Sequence, residues 1–304
     1  MRILLTGANG FLGTHLTNAL KSARHEFLLL DHTNMAVPNL PMAKFLQCDL
    51  SEIANFGEEI RKFHPQAVVH LAWQGIPDFS PNFSILNLLN SIQFLDLIVR
   101  ETNCSKIIIS GSCVEYGAKQ GACTEDECSV STSYLGWAKK AIYDYARVLC
   151  EKTPVDLIWF RIFYVYGPGQ RANSLIPTLV RAFSSNVQPM ITNPFNSNDF
   201  IFVDDVIEAF FVALENQIPT GVYNLGSGAP TSVYEVCRIV EEIITGRTKL
   251  SDMIRPRSDA IGQSGLWACM DRTESTLQWT PRFSLKEGIT AYMKTLNSII
   301  EKNK

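Results

Sequence analysis

Residues 2–13 read RILLTGANGFLG: an apolar run that breaks into three spaced glycines and then resumes apolar residues at helical spacing. Ile3–Leu5 is a strand candidate and Phe11–Leu20 a helix candidate, so the glycines occupy a strand-to-helix turn. Each glycine has a physical use there. Gly7 allows the tight turn, Gly10 lets the backbone approach a pyrophosphate, and Gly13 lets the helix lie close on the sheet. The helix N-terminus adds N–H donors and the positive end of a dipole. The stretch predicts a dinucleotide site, with Asn9, Phe11 and Leu12 joining the glycines against the cofactor.

The next strand candidate, Phe27–Leu30, ends on Asp31, an acid placed to accept hydrogen bonds from an adenosine ribose. His32, Thr33 and Asn34 follow without an Arg or Lys to balance a 2′-phosphate, which favours NAD over NADP. Further strand candidates at Ala67–Leu71, Lys106–Ile109 and Asp156–Ile162 alternate with helical spacing at Ile53–Phe63, Leu86–Val99 and Lys139–Leu149. The alternation predicts an α/β fold, a Rossmann-type doubly wound parallel sheet over residues 1–167 to which later segments also contribute. Beyond Gly167, Pro168, Pro177, Pro189 and Pro194 interrupt polar stretches, and helices are predicted at Leu175–Phe183 and Val206–Leu214. Residues 168–304 are expected to form mainly a smaller C-terminal substrate lobe. Ser232 with Glu235, and Ser284 with Glu287, have capping-box spacing before helical runs.

A chain of 304 residues with 46% hydrophobic content can bury a substantial core. Its 27 basic and 30 acidic residues offer no polycationic surface, so no nucleic-acid partner is expected. No stretch approaches the ~18 consecutive apolar residues of a membrane span, and the opening apolar run is too short for a signal-peptide core. A soluble, cytoplasmic protein without a membrane partner is expected. Eight scattered cysteines make no disulfide framework. Cys113, Cys123 and Cys128 cluster without CxxC spacing or a close His, so they read as packing thiols, and no metal site is predicted.

After the TGxxGxxG turn come, in order, Cys48-Asp49-Leu50, His70-Leu71-Ala72, Ser110-Gly111-Ser112, Arg161–Gly169, Phe200–Val206, Tyr223–Gly228 and Leu277–Leu285. In that order and spacing the chain resembles the extended short-chain dehydrogenase/reductase family of nucleotide-sugar epimerases, dehydratases and ketoreductases. The resemblance implies Asp49 and Leu50 beside the adenine, and Leu71 and Ala72 along the cofactor's path. It implies that the Ser112 hydroxyl bonds the sugar oxygen that becomes a carbonyl, with Ser110 as competitor for the role. It also implies a nucleotide-sugar substrate met by Trp73, Tyr164, Leu175 and either Arg255 or Arg257, an Arg being suited to gripping a diphosphate. Tyr164 stands where the family often has Asn, and Asn198 where it usually has Arg. His70 reads as a buried strand residue, and Asp204 and Asp205 as helix caps. By the same resemblance the apolar stripes of 86–99 and 141–149 would pair two copies as a homodimer.

Dehydratases of this family carry an Asp-Glu pair directly after the Ser112 position, because removing water needs an acid and a base beyond the hydride step. Cys113 and Val114 stand there instead. Glu115, one residue late, is expected on an extended segment to face the other side from Val114. Dehydration is therefore disfavoured.

Hydride chemistry at a sugar carbon needs a proton donor or acceptor at the oxygen, and the family uses a Tyr followed four residues later by a Lys. The Lys stabilises phenolate and can also hold the nicotinamide ribose, while Tyr unaided titrates near ~10. Here STSYLGWAKK places Tyr134 five residues before Lys139. At roughly 100° per residue the two lie about 140° apart on a regular helix. The helix could begin after Tyr134, it could carry a π-bulge, or the pair could be lost, with Leu135 where the Tyr belongs and the acid role passing to Tyr143, Tyr164 or a water. Gly136 and the preceding STS favour an irregular helix start and a working Tyr134–Lys139 pair. Lys140 reads as a solvated cation.

The expected function is an NAD(H)-dependent 4-ketoreductase or 4-dehydrogenase of a nucleotide-activated deoxysugar. The alternatives are a nucleotide-sugar 4-epimerase that retains NAD and a catalytically silent NAD-binding regulatory protein.

Overall fold

Strands covered by helices on both faces must be apolar on both faces, and the first strands of this chain obey that rule. The computed structural model describes residues 1–22, 25–33, 42–127, 129–254 and 265–302. Among these residues the main sheet has seven strands, all parallel. They are β1 (Arg2–Thr6), β2 (Glu26–Asp31), β3 (Ala43–Gln47), β4 (Ala67–His70), β5 (Lys106–Ser112), β6 (Asp156–Ile162) and β7 (Gly221–Leu225). Their spatial order is β7-β6-β5-β4-β1-β2-β3. The order reverses between β1 and β4, and the crevice beyond the strand ends at such a point is where open α/β sheets take ligands.

Alternation along the strands divides the core in two. Leu4, Val68, Ile107, Ile109 and Trp159 pack with Phe94, Leu95 and Ile98 of α3 (Pro81–Glu101) and with Ile142 and Ala146 of α4 (Tyr134–Cys150). Ile3, Leu5, Val69, Ile108 and Phe160 pack with Leu16 of α1 (Phe11–Ala19) and with Phe210 and Ala213 of α6 (Val203–Glu215). The short α2 (Gly57–Phe63) follows a 3-10 stretch over Leu50–Phe56, which replaces the single helix predicted from Ile53; Glu52 at φ −111° marks the kink. α3 starts earlier than predicted, at Pro81, where a proline's missing N–H is harmless.

The second region holds α5 (Leu175–Ser184), α7 (Val233–Thr245), α8 (Asp271–Leu277) and α9 (Leu285–Lys302). Ser232 Oγ accepts from Glu235 N at 3.1 Å, and Ser284 and Glu287 bond reciprocally. The chain crosses residue 167 in both directions. β7 and α6 return to the main sheet, while Gly121–Cys123 leaves to pair with Gly265–Ala268 and, through it, with Ser197–Asn198 and Thr231–Ser232. Asp205 is a buried anchor rather than a cap: its carboxylate accepts from Arg282 N and Phe283 N at 2.9 and 3.2 Å.

Candidate active site

The glycine turn and the end of β2 form one wall of a cleft of about 730 Å³. Gly7 sits at φ +71°, and a Cβ there would lie 2.8 Å from Ala72 N. A Cβ on Gly13 would lie 2.0 Å from Gly7 O, so α1 reaches the turn only because both positions lack a side chain. Gly10 is the N-cap of α1 and, among the described residues, no side chain caps the helix's first N–H groups, which leaves them to a ligand. Asp31 is oriented by its neighbours: Oδ2 accepts from Asn9 N at 2.9 Å, and Oδ1 from Thr33 N and Oγ1 at 3.0 and 2.7 Å. Oδ1 is thereby filled, while Oδ2, which accepts once, retains acceptor capacity for a ribose hydroxyl. Phe11, Leu12, His32 and Leu50 complete this end.

Leu71, Ala72, Trp73 and Gln74 carry the lining onward from β4. Their position depends on a buried polar chain, in which His70 meets Thr6 Oγ1 at 2.7 Å and Ser91 Oγ at 3.1 Å and stacks on Phe94. Burial, helped by the Lys139 charge, pushes His70 down to about 3, so the ring is neutral. Gln74 is pinned by Asn87, which accepts from its N–H and donates to its carbonyl at 2.7 and 3.0 Å. Asp49 serves this scaffold instead of the cleft wall. It caps the Leu50–Phe56 turn by accepting from Ser51 N and binds Gln74 Nε2 with both carboxylate oxygens.

At the far end, Ser110 and Ser112 project from one side of β5, and Leu135 and Lys139 from one side of α4. Helix α4 is regular from Tyr134, with Ser133 as N-cap accepting from Gly136 N at 3.1 Å. Tyr134 is therefore the first helical residue, 55% exposed and outside the cleft lining. Leu135, four residues before Lys139 and about 40° from it around the helix, takes the place that a tyrosine would need. Gly136 does not loosen the helix. It lets α4 approach the preceding turn, since a Cβ there would meet Val114 O at 2.6 Å. Lys139 is 8% exposed; its Nζ donates to Ser110 O at 2.6 Å and lies 4.4 Å from the Trp73 ring centre. Burial, opposed by Glu115, lowers it to about 8. Lys140 is not a solvated cation but donates to Ser129 O, away from the cleft.

The segment after Ser112 is a 3-10 turn over Cys113–Tyr116, not an extended strand. Ser112 caps it, and Glu115 folds back to accept from Ser112 N at 2.7 Å, from Trp159 Nε1, and from Arg161 Nε at 2.9 Å. Ser-Cys-Val-Glu is a capping-box signature, so the sequence carried this signal. Cys113 is buried, its thiol pushed up to about 12 by desolvation. Neither Cys113 nor Val114 lines the cleft.

A family model described as the NAD dependent epimerase/dehydratase family matches residues 3–226. The chain belongs to that family. NAD is accordingly its cofactor, and the carboxylate at Asp31, with no Arg or Lys beside it in 31–33, fits a free ribose rather than a 2′-phosphate. Among similar proteins are an uncharacterized UDP-glucose epimerase of Bacillus subtilis, 26% identical over 99% of both chains, and a dTDP-4-dehydro-6-deoxyglucose reductase of Escherichia coli, 24% identical over 97% of both. A UDP-glucose 4-epimerase of Thermotoga maritima, solved with UDP-glucose, superposes with a TM-score of 0.85 at 22% identity, covering 99% of this chain and 100% of that one.

Within this epimerase/dehydratase-family fold, the expected substrate residues are dispersed. Trp73 and Ser112 line the cleft; Tyr164 does not, because it alternates with the lining residues Phe163 and Val165 and turns its ring toward Phe200. Leu175 packs toward the core while the preceding Ser174 lines the cleft. Arg255 and Arg257 lie outside the described residues, as does Cys128. Gln74, Asn90, Ser91, Gln170 and Arg171 also line the cleft without having been anticipated. Arg171 follows the Gly-Pro-Gly-Gln turn, the only hint of it available in sequence. By length and composition α3 could cross a membrane, but 44% of its most apolar window is buried against the fold.

Proposed function

We propose that this enzyme is an NAD(H)-dependent 4-ketoreductase, or in reverse a 4-dehydrogenase, of a nucleotide-activated deoxysugar. The observation that carries the reading is the chemical end of the cleft. It presents a serine hydroxyl and a lysine, while the one carboxylate nearby among the described residues, Glu115, is fully buried and bonded to Ser112, Trp159 and Arg161. Elimination of water needs an acid and a base there; hydride transfer does not need that pair. The reductase of Escherichia coli is a relative whose name describes such a reaction.

Bound NAD(H) supplies the two-electron donor or acceptor. Gly7, Asn9, Gly10, Phe11, Leu12 and Gly13 receive the pyrophosphate, Asp31 and Leu50 hold the adenosine, and Leu71 and Ala72 line the path to the nicotinamide. Ser112 donates its hydroxyl hydrogen to the sugar oxygen, and Lys139 holds the nicotinamide ribose. Trp73 packs on the sugar, and a late Arg, Arg255 or Arg257, grips the diphosphate. The same reading sets the enzyme in the cytoplasm, without nucleic-acid or membrane partners. It pairs two copies through α3 and α4, which expose Ile85, Leu89 and Val148.

The test is absorbance of NADH and NADPH with TDP-, CDP-, GDP- and UDP-linked 4-keto sugars, with UDP-glucose interconversion followed in parallel. Stoichiometric NADH consumption with one 4-keto sugar is expected. Interconversion of UDP-glucose without net NADH use would make the enzyme an epimerase, and NADH binding with no turnover of any sugar would sink the catalytic assignment.

A further inference from the structure

We propose that Lys139 is itself the proton donor to the sugar C4 oxygen, replacing the tyrosine that would otherwise precede it by four residues; this inference rests on the ketoreductase reading above.

The titratable side chains among the described residues that line the cleft are Asp31, His32, Cys48, Lys139 and Arg171. Asp31, His32 and Cys48 gather at the adenosine end, where Cys48 N donates to Asp31 O at 2.8 Å and His32 Nδ1 is 3.3 Å from Asp31. A guanidinium such as Arg171 does not give up a proton in proteins. That leaves Lys139, held against Ser110 O in the same cleft wall as Ser112, as the group that can exchange a proton at the sugar. Ser112 can polarise the oxygen but, as an alcohol, cannot be the acid near neutrality.

Tyr134 is removed by helix phase. The Ser133 cap starts α4 one residue too early for Tyr134 to face the cleft, and the contact of Gly136 with Val114 O fixes that phase. Leu135, in the vacated position, has no proton to give. An ordinary lysine, at 10.5, is a weak acid for this purpose, but the apolar surroundings of Lys139 bring it to about 8. Among the described residues the groups facing it are few. Glu115, from the turn after β5, opposes the shift but is itself paired with Arg161; His70, at the end of β4, is neutral; and the Trp73 face and Ser110 carbonyl complete the surroundings. One of the three ammonium N–H bonds is taken by Ser110 O.

In the reaction the sugar carbonyl carbon gains a hydride with its two electrons from the reduced nicotinamide. The C=O π pair moves onto oxygen, and a proton passes from Lys139 Nζ to that oxygen. The products are the alcohol, oxidised nicotinamide and a neutral amine, which regains its proton from solvent.

The test joins a titration that needs no cofactor to a kinetic comparison. In cofactor-free protein, lysines are reductively methylated with 13C-formaldehyde, the Lys139 signal is assigned by its loss in Lys139→Arg, and its shift is followed with pH. A midpoint near 8 is expected. A midpoint at the ordinary lysine value, or a Lys139 that resists labelling and so does not face the cleft, overturns the proposal. With a 4-keto sugar, Lys139→Met and Lys139→Arg should lose about 100-fold or more in kcat, with the NADH Kd moved less than about tenfold; equal losses in kcat and NADH affinity would leave Lys139 a binding residue and overturn it. Wild-type kcat for reduction should fall as pH rises through about 8, and Leu135→Tyr should move that limb. Persistence of the limb in Lys139→Arg overturns the assignment. If the wild type consumes NADH with none of the sugars, the ketoreductase reading fails, and the titration alone decides whether Lys139 is a poised acid.

Discussion

Replacing Lys139 by methionine should cost the fold little at neutral pH and should change how its stability responds to alkali. Burial lowers the ammonium from 10.5 to about 8, and at about 1.4 kcal/mol per pH unit the charge destabilises the folded state by on the order of 3 kcal/mol. Because the folded value lies below the unfolded one, the unfolded chain holds more protons between the two. The penalty is complete below about pH 8 and is relieved as pH rises toward 10.5, so stability increases across that window. From this group alone the wild type should gain about 2 kcal/mol between about pH 7 and about pH 9.5, and Lys139→Met should gain none. Methionine fills a similar volume without charge but leaves the Ser110 carbonyl without its donor, an offset of about 1–3 kcal/mol. The net effect at pH 7 should lie between no change and a stabilisation of about 2 kcal/mol. Urea unfolding of both cofactor-free proteins at the two pH values measures the quantity, and the informative number is the change in their difference. A variant destabilised by more than about 1 kcal/mol at pH 7, or a difference that stays constant with pH, would refute the reasoning.

Asp31→Asn keeps the shape of the ribose acceptor and removes its charge, so NADH affinity should fall about 10- to 100-fold in a fluorescence titration, as expected for one charge-assisted hydrogen bond, and the preference over NADPH should narrow. Gly13→Val forces a Cβ onto Gly7 O, at 2.0 Å in the present backbone; calorimetry should show NADH binding lost even where circular dichroism shows a folded chain. Glu115→Leu strands Arg161 in the core and should destabilise by about 3–5 kcal/mol in urea, whereas Glu115→Gln, which retains an acceptor oxygen for Ser112 N and Trp159, should cost clearly less. Tyr134→Phe should keep kcat within about twofold, because the phenol is solvent-exposed at the first helical position; a tenfold loss would return Tyr134 to the chemistry.

Much of the nucleotide half was legible because its logic is local. Gly7, Gly10, Gly13 and Asp31 act within one strand-turn-helix-strand unit, where spacing along the chain already sets spacing in space. The edge strand β3 escaped because its half-exposed side chains do not form an apolar run, and β7 because it returns to the sheet from far along the chain. Gln74 lines the cleft where Asp49 was expected, since Asn87, on a different helix, decides how Gln74 is held. At Tyr134 and Lys139 the outcome lay in packing. Sequence alone determined that both residues could not face one side of a regular helix, and it determined the cofactor turn and the absence of a dehydratase pair. Only the tertiary structure decided which residue faces the cleft, because helix phase at α4 depends on the Ser133 cap and on the approach of Gly136 to Val114 O, and that approach exists only once β5, its following turn and α4 are packed together.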